Sequence, residues 1–282
     1  MSKYFSTTKI NDHITLIKSI TGEDLYYVQG NKEGILIDTS EGMSPLKPLV
    51  DQLAKTPYSV ILTHGHIDHA MGASEFRDHK VFMNLSDRVV YDGMSDEEQR
   101  EDYAKQCIPK SIKWSDLPIK PAPSEHADDN FLDLKDGQVF DLGGFHLETI
   151  HFPGHTPGMT AILFIEDRIL LTGDGANRST FVWDEYAPSV HSYRANLEYL
   201  LKRTKGKYDY IYISHGSHEV SPRLLENLIE LCDEIIARKT DDIPNEFMGK
   251  TYYIAKKFDP NSPTLARDDG KDGNIFYNPK NI

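Results

Sequence analysis

Six consecutive residues carry the densest chemistry in this chain: His64, Gly65, His66, Ile67, Asp68 and His69. They follow directly on the apolar run Val60, Ile61 and Leu62. His64 and His66 stand two apart, so on extended chain both side chains leave the same face, and Gly65 between them permits a tight turn. They can share one ion. From His69 to about Phe76 the pattern turns helical, and the first turn of such a helix aims Asp68 and His69 at a second point close by. A lone histidine is ordinarily a surface or hydrogen-bonded residue. Four donors in an H-x-H-x-D-H array point instead to metal, and to more than one ion.

The elements that must hold these residues are set by the rest of the chain. Its 282 residues can bury a substantial core, and we expect one layered body with insertions. That body runs over residues 1–240 with an insertion at about 92–130, and a C-terminal extension over 241–282 packs on the body or on a partner chain, an arrangement open to a homo-oligomer. No apolar run approaches the roughly 18 residues of a membrane span, and the start has no apolar signal region. A soluble, cytoplasmic protein without a membrane partner is therefore expected. Cys107 and Cys232 lie far apart and form no C-x-x-C pair, so neither a disulfide framework nor a thiolate zinc site is suggested. Any metal must sit on histidine and carboxylate. The formal net charge of −13 repels polyanions at long range, so no nucleic-acid partner is expected.

Short, apolar, β-branched segments read as buried strands: ITLIKSI, GILIDTS, YSVILTH, HLETIHF, TAILFI, RILLTGD and DYIYISH. Helical patterns fall between and after them, at roughly Leu46 to Ala54, His69 to Phe76, Val190 to Arg203 and Pro222 to Arg238. The first 40 or so residues read as antiparallel strands joined by turns, so the sheets are mixed, and the whole is α/β. The insertion is charged and then proline-rich, which suits either a solvated excursion or a lid that uses Trp114 to cover a substrate.

Several of these strands end in a donor residue. GILIDTS reaches Asp38, VILTHGHIDH reaches the first cluster, LETIHFPGH reaches His155, RILLTGD reaches Asp174, and YIYISH reaches His215. Ligands in α/β sheets gather outside the carboxyl ends of strands, so residues distant in sequence can converge on one cleft. This ordered set resembles the metallo-β-lactamase superfamily, over roughly residues 10–235, and within it the glyoxalase-II-like dinuclear metallohydrolases. The resemblance implies an αββα sandwich of two facing mixed sheets with helices outside. It places one metal on His64, His66 and His155, and a second on Asp68, His69 and His215, with Asp174 bridging both. Asp38 matches the acid that supports the site from behind. Met159 departs from the polar residue of glyoxalase II, and no glutathione-binding domain is recognisable, so glyoxalase II itself is disfavoured.

Two divalent ions about 3.5 Å apart repel by about 19 kcal/mol at an effective dielectric of 20, so an anion must lie between them. Asp174 and a bridging hydroxide supply it. Such a site lowers the pKa of its water to about 7 and stabilises an oxyanion on the attacked carbonyl. The expected reaction is hydrolysis of a small acyl ester, lactone or thioester, with Asp68 as the catalytic residue that orients the hydroxide and carries a proton to the leaving group. Zinc is the expected metal at both positions, and iron or manganese accepts the same donors. Alternatives are a mononuclear iron enzyme similar to the superfamily's persulfide dioxygenases, a phosphodiesterase, and a non-catalytic binding protein that has kept the fold.

The partner is then a small-molecule substrate. The stretch after Asp174 is aromatic, and Arg178, Phe181, Trp183, Tyr186, His191 and Tyr193 would wall the cleft, with His218 beside His215 also within reach of substrate. His13, His79 and His126 are expected to be solvated. His146 and His151 flank a strand, where a histidine ordinarily caps or pairs across strands.

Overall fold

The computed structural model describes residues 4–124, 130–183, 185–247, 250–260, 262 and 266–282. His126 and residues 125–129 of the insertion lie outside the described residues. The chain divides into two compact units, Met1–Leu147 and Glu148–Ile282.

The first unit is built on a seven-stranded sheet whose order follows the sequence: β1 (Phe5–Lys9), β2 (Ile14–Ser19), β3 (Asp24–Gln29), β4 (Gly34–Ile37), β5 (Tyr58–Ile61), β6 (Val81–Met83) and β7 (Leu132–Asp133). The first four strands are antiparallel and are joined by short turns. From β4 onward the pairing is parallel, which requires crossovers long enough to hold helices. These are α1 (Lys47–Leu53), α2 (Ile67–Ala70) with a 3₁₀ stretch over Met71–Phe76, and the pair α3 (Arg88–Gly93) and α4 (Glu97–Cys107). Central β4 and β5 are buried along their whole length, as strands covered on both faces must be.

The insertion is not a solvated excursion. Ala104 and Leu117 belong to the buried cluster of this unit, and Tyr103, Ile108, Ile112, Trp114 and Ile119 pack against it. Periodicity does not predict helix α4, because its EEQREDYAKQC sequence shows no apolar stripe. Its local signals are nonetheless complete. Asp96 accepts a hydrogen bond from the Gln99 N–H at 3.1 Å, Glu97 and Glu98 occupy the first turn, and Lys105 the last.

The division between units falls inside β9 (His146–His151), which follows β8 (Val139–Asp141). The second unit continues with β10 (Thr160–Phe164), β11 (Ile169–Leu171), β12 (Ser179–Val182), α5 (Val190–Thr204), β13 (Tyr210–Tyr212), β14 (Glu219–Val220) and α6 (Leu224–Ile236). Within it the main sheet has the order β14-β13-β11-β10-β9, antiparallel except where β11 and β13 run parallel among the strand pairs described. Ser189 caps α5 by accepting the Ser192 N–H. Helix α6 buries Leu224, Leu225, Leu228, Leu231, Cys232 and Ile235, the spacing of one helical face. Cys232 is thus an apolar core residue, and burial pushes its thiol well above the ordinary range.

A further sheet appears where the sequence suggested only two. The C-terminal strands β15 (Ile243–Phe247), β16 (Lys250–Ile254) and β17 (Asn274–Tyr277) join β12 in the order β12-β17-β16-β15. The parallel register runs from Ser179 opposite Asn274 to Val182 opposite Tyr277. Alternation along β12 explains it. Thr180 and Val182 are buried on one face, while Phe181 and Trp183 pack with Tyr252, Phe258 and Phe276 on the other. Among the described residues no helix is long and apolar enough to cross a membrane.

Candidate metal centre

In the first unit the chain leaves β5 at Ile61 and places its donors within one turn of the strand end. His64 is fully buried, His66 caps α2, and Asp68 and His69 lie buried in that helix. The His64 ring lies 4.9 Å from that of His66 and 4.2 Å from that of His69, between centroids. Asp38 stands at the end of β4 with φ 64°, a left-handed conformation that aspartate tolerates better than most residues. There its carboxylate accepts the Thr63 N–H at 2.7 Å and the Thr63 hydroxyl at 2.8 Å, and lies 2.9 Å from His69 Nδ1.

These bonds assign the ring protons. A carboxylate can only accept, so His69 Nδ1 carries the hydrogen. The Thr63 hydroxyl spends its proton on Asp38, so its oxygen accepts from His64 Nδ1 at 3.0 Å. Both rings therefore present Nε2 as a lone pair. The loop itself is tied down by Gly65, whose N–H donates to Asp87 Oδ2 at 2.9 Å, and by the Thr39 N–H donating to the His69 carbonyl at 2.7 Å. Behind it, a Cβ on Gly72 would meet the Thr39 carbonyl oxygen at 2.2 Å, so only glycine permits this approach.

In the second unit three donors come from three strand ends. His155 follows β9, Asp174 follows β11, and His215 follows β13. His155 Nδ1 lies 2.8 Å from the Phe181 carbonyl oxygen, which can only accept, so this ring too turns a lone pair outward on Nε2. Asp174 Oδ2 lies 3.1 Å from His215 Nε2 and 3.9 Å from His155 Nε2. One carboxylate oxygen thus stands between two imidazoles. The Asn177 side-chain amide donates to the other oxygen at 3.4 Å.

The residues expected to wall a cleft have other partners. Arg178 donates to the carbonyls of Ser217 and Glu219, each at 3.0 Å, and lies 3.7 Å from Asp272. The Phe181 ring is 4.6 Å from that of Phe276, and Trp183 is 5.4 Å from Tyr252. Tyr186 is half-buried and His191 is exposed on α5. The His218 ring meets Tyr212 edge-on at 5.1 Å. Tyr193 is fully buried, and its hydroxyl donates to the Gly175 carbonyl at 2.7 Å. A Cβ on Gly154 would come within 2.3 Å of its ring, so Tyr193 packs beneath the loops of both His155 and Asp174.

Two histidines expected to be solvated are half-buried instead. His13 stacks on Phe145 at 3.7 Å, and His79 lies 4.2 Å from the Tyr58 ring. His151 donates from Nε2 to the Pro157 carbonyl at 2.9 Å. Thr63, Asp87, Tyr103 and Asn177, which touch the donors or their loop, carry no signal in the sequence that singles them out.

The sheets, the helices between them and these donors define an α/β protein of metallo-hydrolase type. A profile of the metallo-beta-lactamase superfamily matches residues 22–215, and the chain belongs to that superfamily. It is 25% identical over 175 residues to the hydroxyacylglutathione hydrolase GloC of Haemophilus influenzae, covering 59% of this chain and 74% of that protein. It is 27% identical over 173 residues to the acyl-coenzyme A thioesterase MBLAC2 of Bos taurus, covering 54% of this chain and 57% of that one. The match thus spans between about half and three quarters of these relatives' length. A metallo-beta-lactamase from Pontibacter korlensis superposes with a TM-score of 0.58 at 18% identity, over 81% of this chain and 99% of the other. That likeness establishes the fold. Such relatives support an enzyme, and the chain carries His/Asp groups of the type that holds metal.

Proposed function

We propose that this protein is a metal-dependent hydrolase of small acyl esters, lactones or thioesters. This reading assigns His64, His66 and His155 to one divalent ion and Asp68, His69, Asp174 and His215 to a second. The observation that carries this reading is the orientation of the imidazoles. His64, His69 and His155 each commit Nδ1 to an acceptor inside their own unit, which fixes the tautomer and turns Nε2 into a ligand, as metal-binding histidines require. Zinc is the expected metal, and the donor set accepts iron or manganese.

Bound divalent ions polarise a scissile carbonyl and make water nucleophilic near neutral pH. The chain's own residues supply the rest. Asp174 contributes negative charge between the histidines of the two sets, offsetting the repulsion of two cations. Asp38 and Thr63 hold the rings of His64 and His69. Asp68 takes a proton from the attacking water and returns it to the leaving group. A thioester or ester substrate is supported by the relatives named as a thioesterase and a hydroxyacylglutathione hydrolase, and the net charge of −13 disfavours nucleic acid.

The test is elemental analysis of protein purified without chelator, followed by a substrate panel. About two metal equivalents per chain are expected, with aryl esters, lactones or small thioesters cleaved faster than bis(p-nitrophenyl) phosphate. One equivalent of iron with consumption of O₂ would replace this reading by an oxygenase. Preferential turnover of the phosphodiester would replace it by a phosphodiesterase.

A further inference from the structure

Helix α4, in the insertion, brings a side chain onto a proposed metal ligand. The Tyr103 hydroxyl lies 2.8 Å from Asp68 Oδ2 and 3.3 Å from Glu23 Oε1. A phenol carries one proton, and the shorter contact has the geometry of a full hydrogen bond, so Tyr103 donates to Asp68. The helix that presents it is firmly seated. Arg100, three residues earlier, is fully buried and donates from its guanidinium to the Ala122 carbonyl at 2.9 Å. Ala104 is fully buried beside it, and the Tyr103 ring packs against the core of its unit.

Asp68 Oδ2 also lies 3.7 Å from His69 Nε2, the nitrogen turned outward by Asp38. A carboxylate oxygen has two lone pairs. One takes the Tyr103 hydrogen, and the other faces the point at which His69 aims. Rotation of the carboxylate about its Cβ–Cγ bond is thereby set by a residue from the insertion rather than by α2, which carries Asp68 itself.

We infer that Tyr103 is a positioning residue that fixes the Asp68 carboxylate for the ion held by Asp68 and His69, so that the insertion completes the metal site. This rests on the proposed metallohydrolase reading. It also gives the insertion a role that neither a lid nor a surface excursion would have.

The test is titration of the metal-free full chain with Zn²⁺ against a competing chromophoric chelator, for wild type, Tyr103→Phe and Ala104→Gly. Tyr103→Phe keeps the ring and removes only the hydroxyl. It should weaken one of the two ions by about 10–100-fold, the usual cost of losing a partner behind a ligand, and leave the other within about threefold. Ala104→Gly loosens α4 without touching the hydroxyl. It should lower the unfolding midpoint while leaving both affinities within about threefold. If wild type binds two ions and Tyr103→Phe binds both equally well, the inference is wrong and the metallohydrolase reading stands. Equal losses in Tyr103→Phe and Ala104→Gly would make Tyr103 a packing residue only and overturn the inference too. If wild type binds no Zn²⁺, the underlying reading fails and takes the inference with it.

Discussion

The two units assemble their donors in opposite ways. The first draws His64, His66, Asp68 and His69 from one loop and the helix it enters, and steadies them with side chains from elsewhere: Asp38 from the end of β4, Asp87 from the turn before α3, and Tyr103 from α4. The second draws single donors from three strand ends, and steadies them by a backbone carbonyl at His155 and by the buried Tyr193 beneath two of the loops. A contiguous motif places its donors close together at once, but a single loop is mobile, so polar props from distant segments must stop it moving. Donors carried on separate strand ends inherit the rigidity of the sheet. They need packing more than polar support.

The largest effect should come from removing the donor shared between histidines in the second unit. Asp174→Ala deletes the carboxylate whose Oδ2 faces both His155 and His215. Turnover should fall by more than about a hundredfold, beyond the cost of losing a partner behind a ligand, and metal content after gel filtration should drop below one equivalent. Retention of two equivalents would mean that the contiguous motif of the first unit holds metal by itself.

A smaller loss is expected from a prop. Asp38→Asn keeps the shape but removes the charge that accepts from His69 and Thr63. Metal affinity, read by chelator competition, should fall by about 10–100-fold, with secondary structure unchanged by circular dichroism. An affinity within threefold of wild type would show that the loop of the first unit stands without this support.

The smallest effects probe the walls behind each set of donors. Gly72→Ala drives a Cβ to 2.2 Å from the Thr39 carbonyl oxygen, which is backbone, whereas Gly175→Ala drives one to 2.3 Å from the tip of the Phe152 ring and 2.7 Å from Met159. Overpacking costs roughly 1–3 kcal/mol, and urea unfolding should place Gly72→Ala near the upper end and Gly175→Ala near the lower. Adding Phe152→Leu should recover part of the loss in Gly175→Ala. Equal losses, with no recovery, would mean that both walls are equally stiff and would erase the contrast between the units.

Most of the regular structure around the donors was readable from local pattern. The strands that precede Asp38, His64, His155, Asp174 and His215 are short apolar runs, and α5 and α6 show one apolar face each. Helix α4 was not readable from periodicity, because it buries only Arg100 and Ala104 fully among its residues. Its cap and charges could have revealed it. Periodicity does not show that Phe181 and Trp183 pack against a third sheet, because aromatic residues near a site look alike whether they meet a ligand or a sheet. The partner strand of β12 is Asn274–Tyr277, and no local signal announces a pairing across so much intervening chain. The burial of Tyr193 is hidden for a related reason, since only the folded chain presses Gly154 against its ring.

By itself the sequence determined the donor types, the tight spacing of His64 to His69 and the strand that carries them, because these depend on neighbours a few residues apart. Tertiary structure alone decided which ring nitrogen each histidine turns outward, since that follows from acceptors at Asp38, Thr63 and Phe181. It also decided that Asp174 lies between two histidines, His215 being 41 residues away, and that Tyr103 of the insertion meets Asp68. Hydrogen bonds and packing between distant segments form only once the chain has closed its loops, and no period in the sequence encodes where such closure brings one side chain against another.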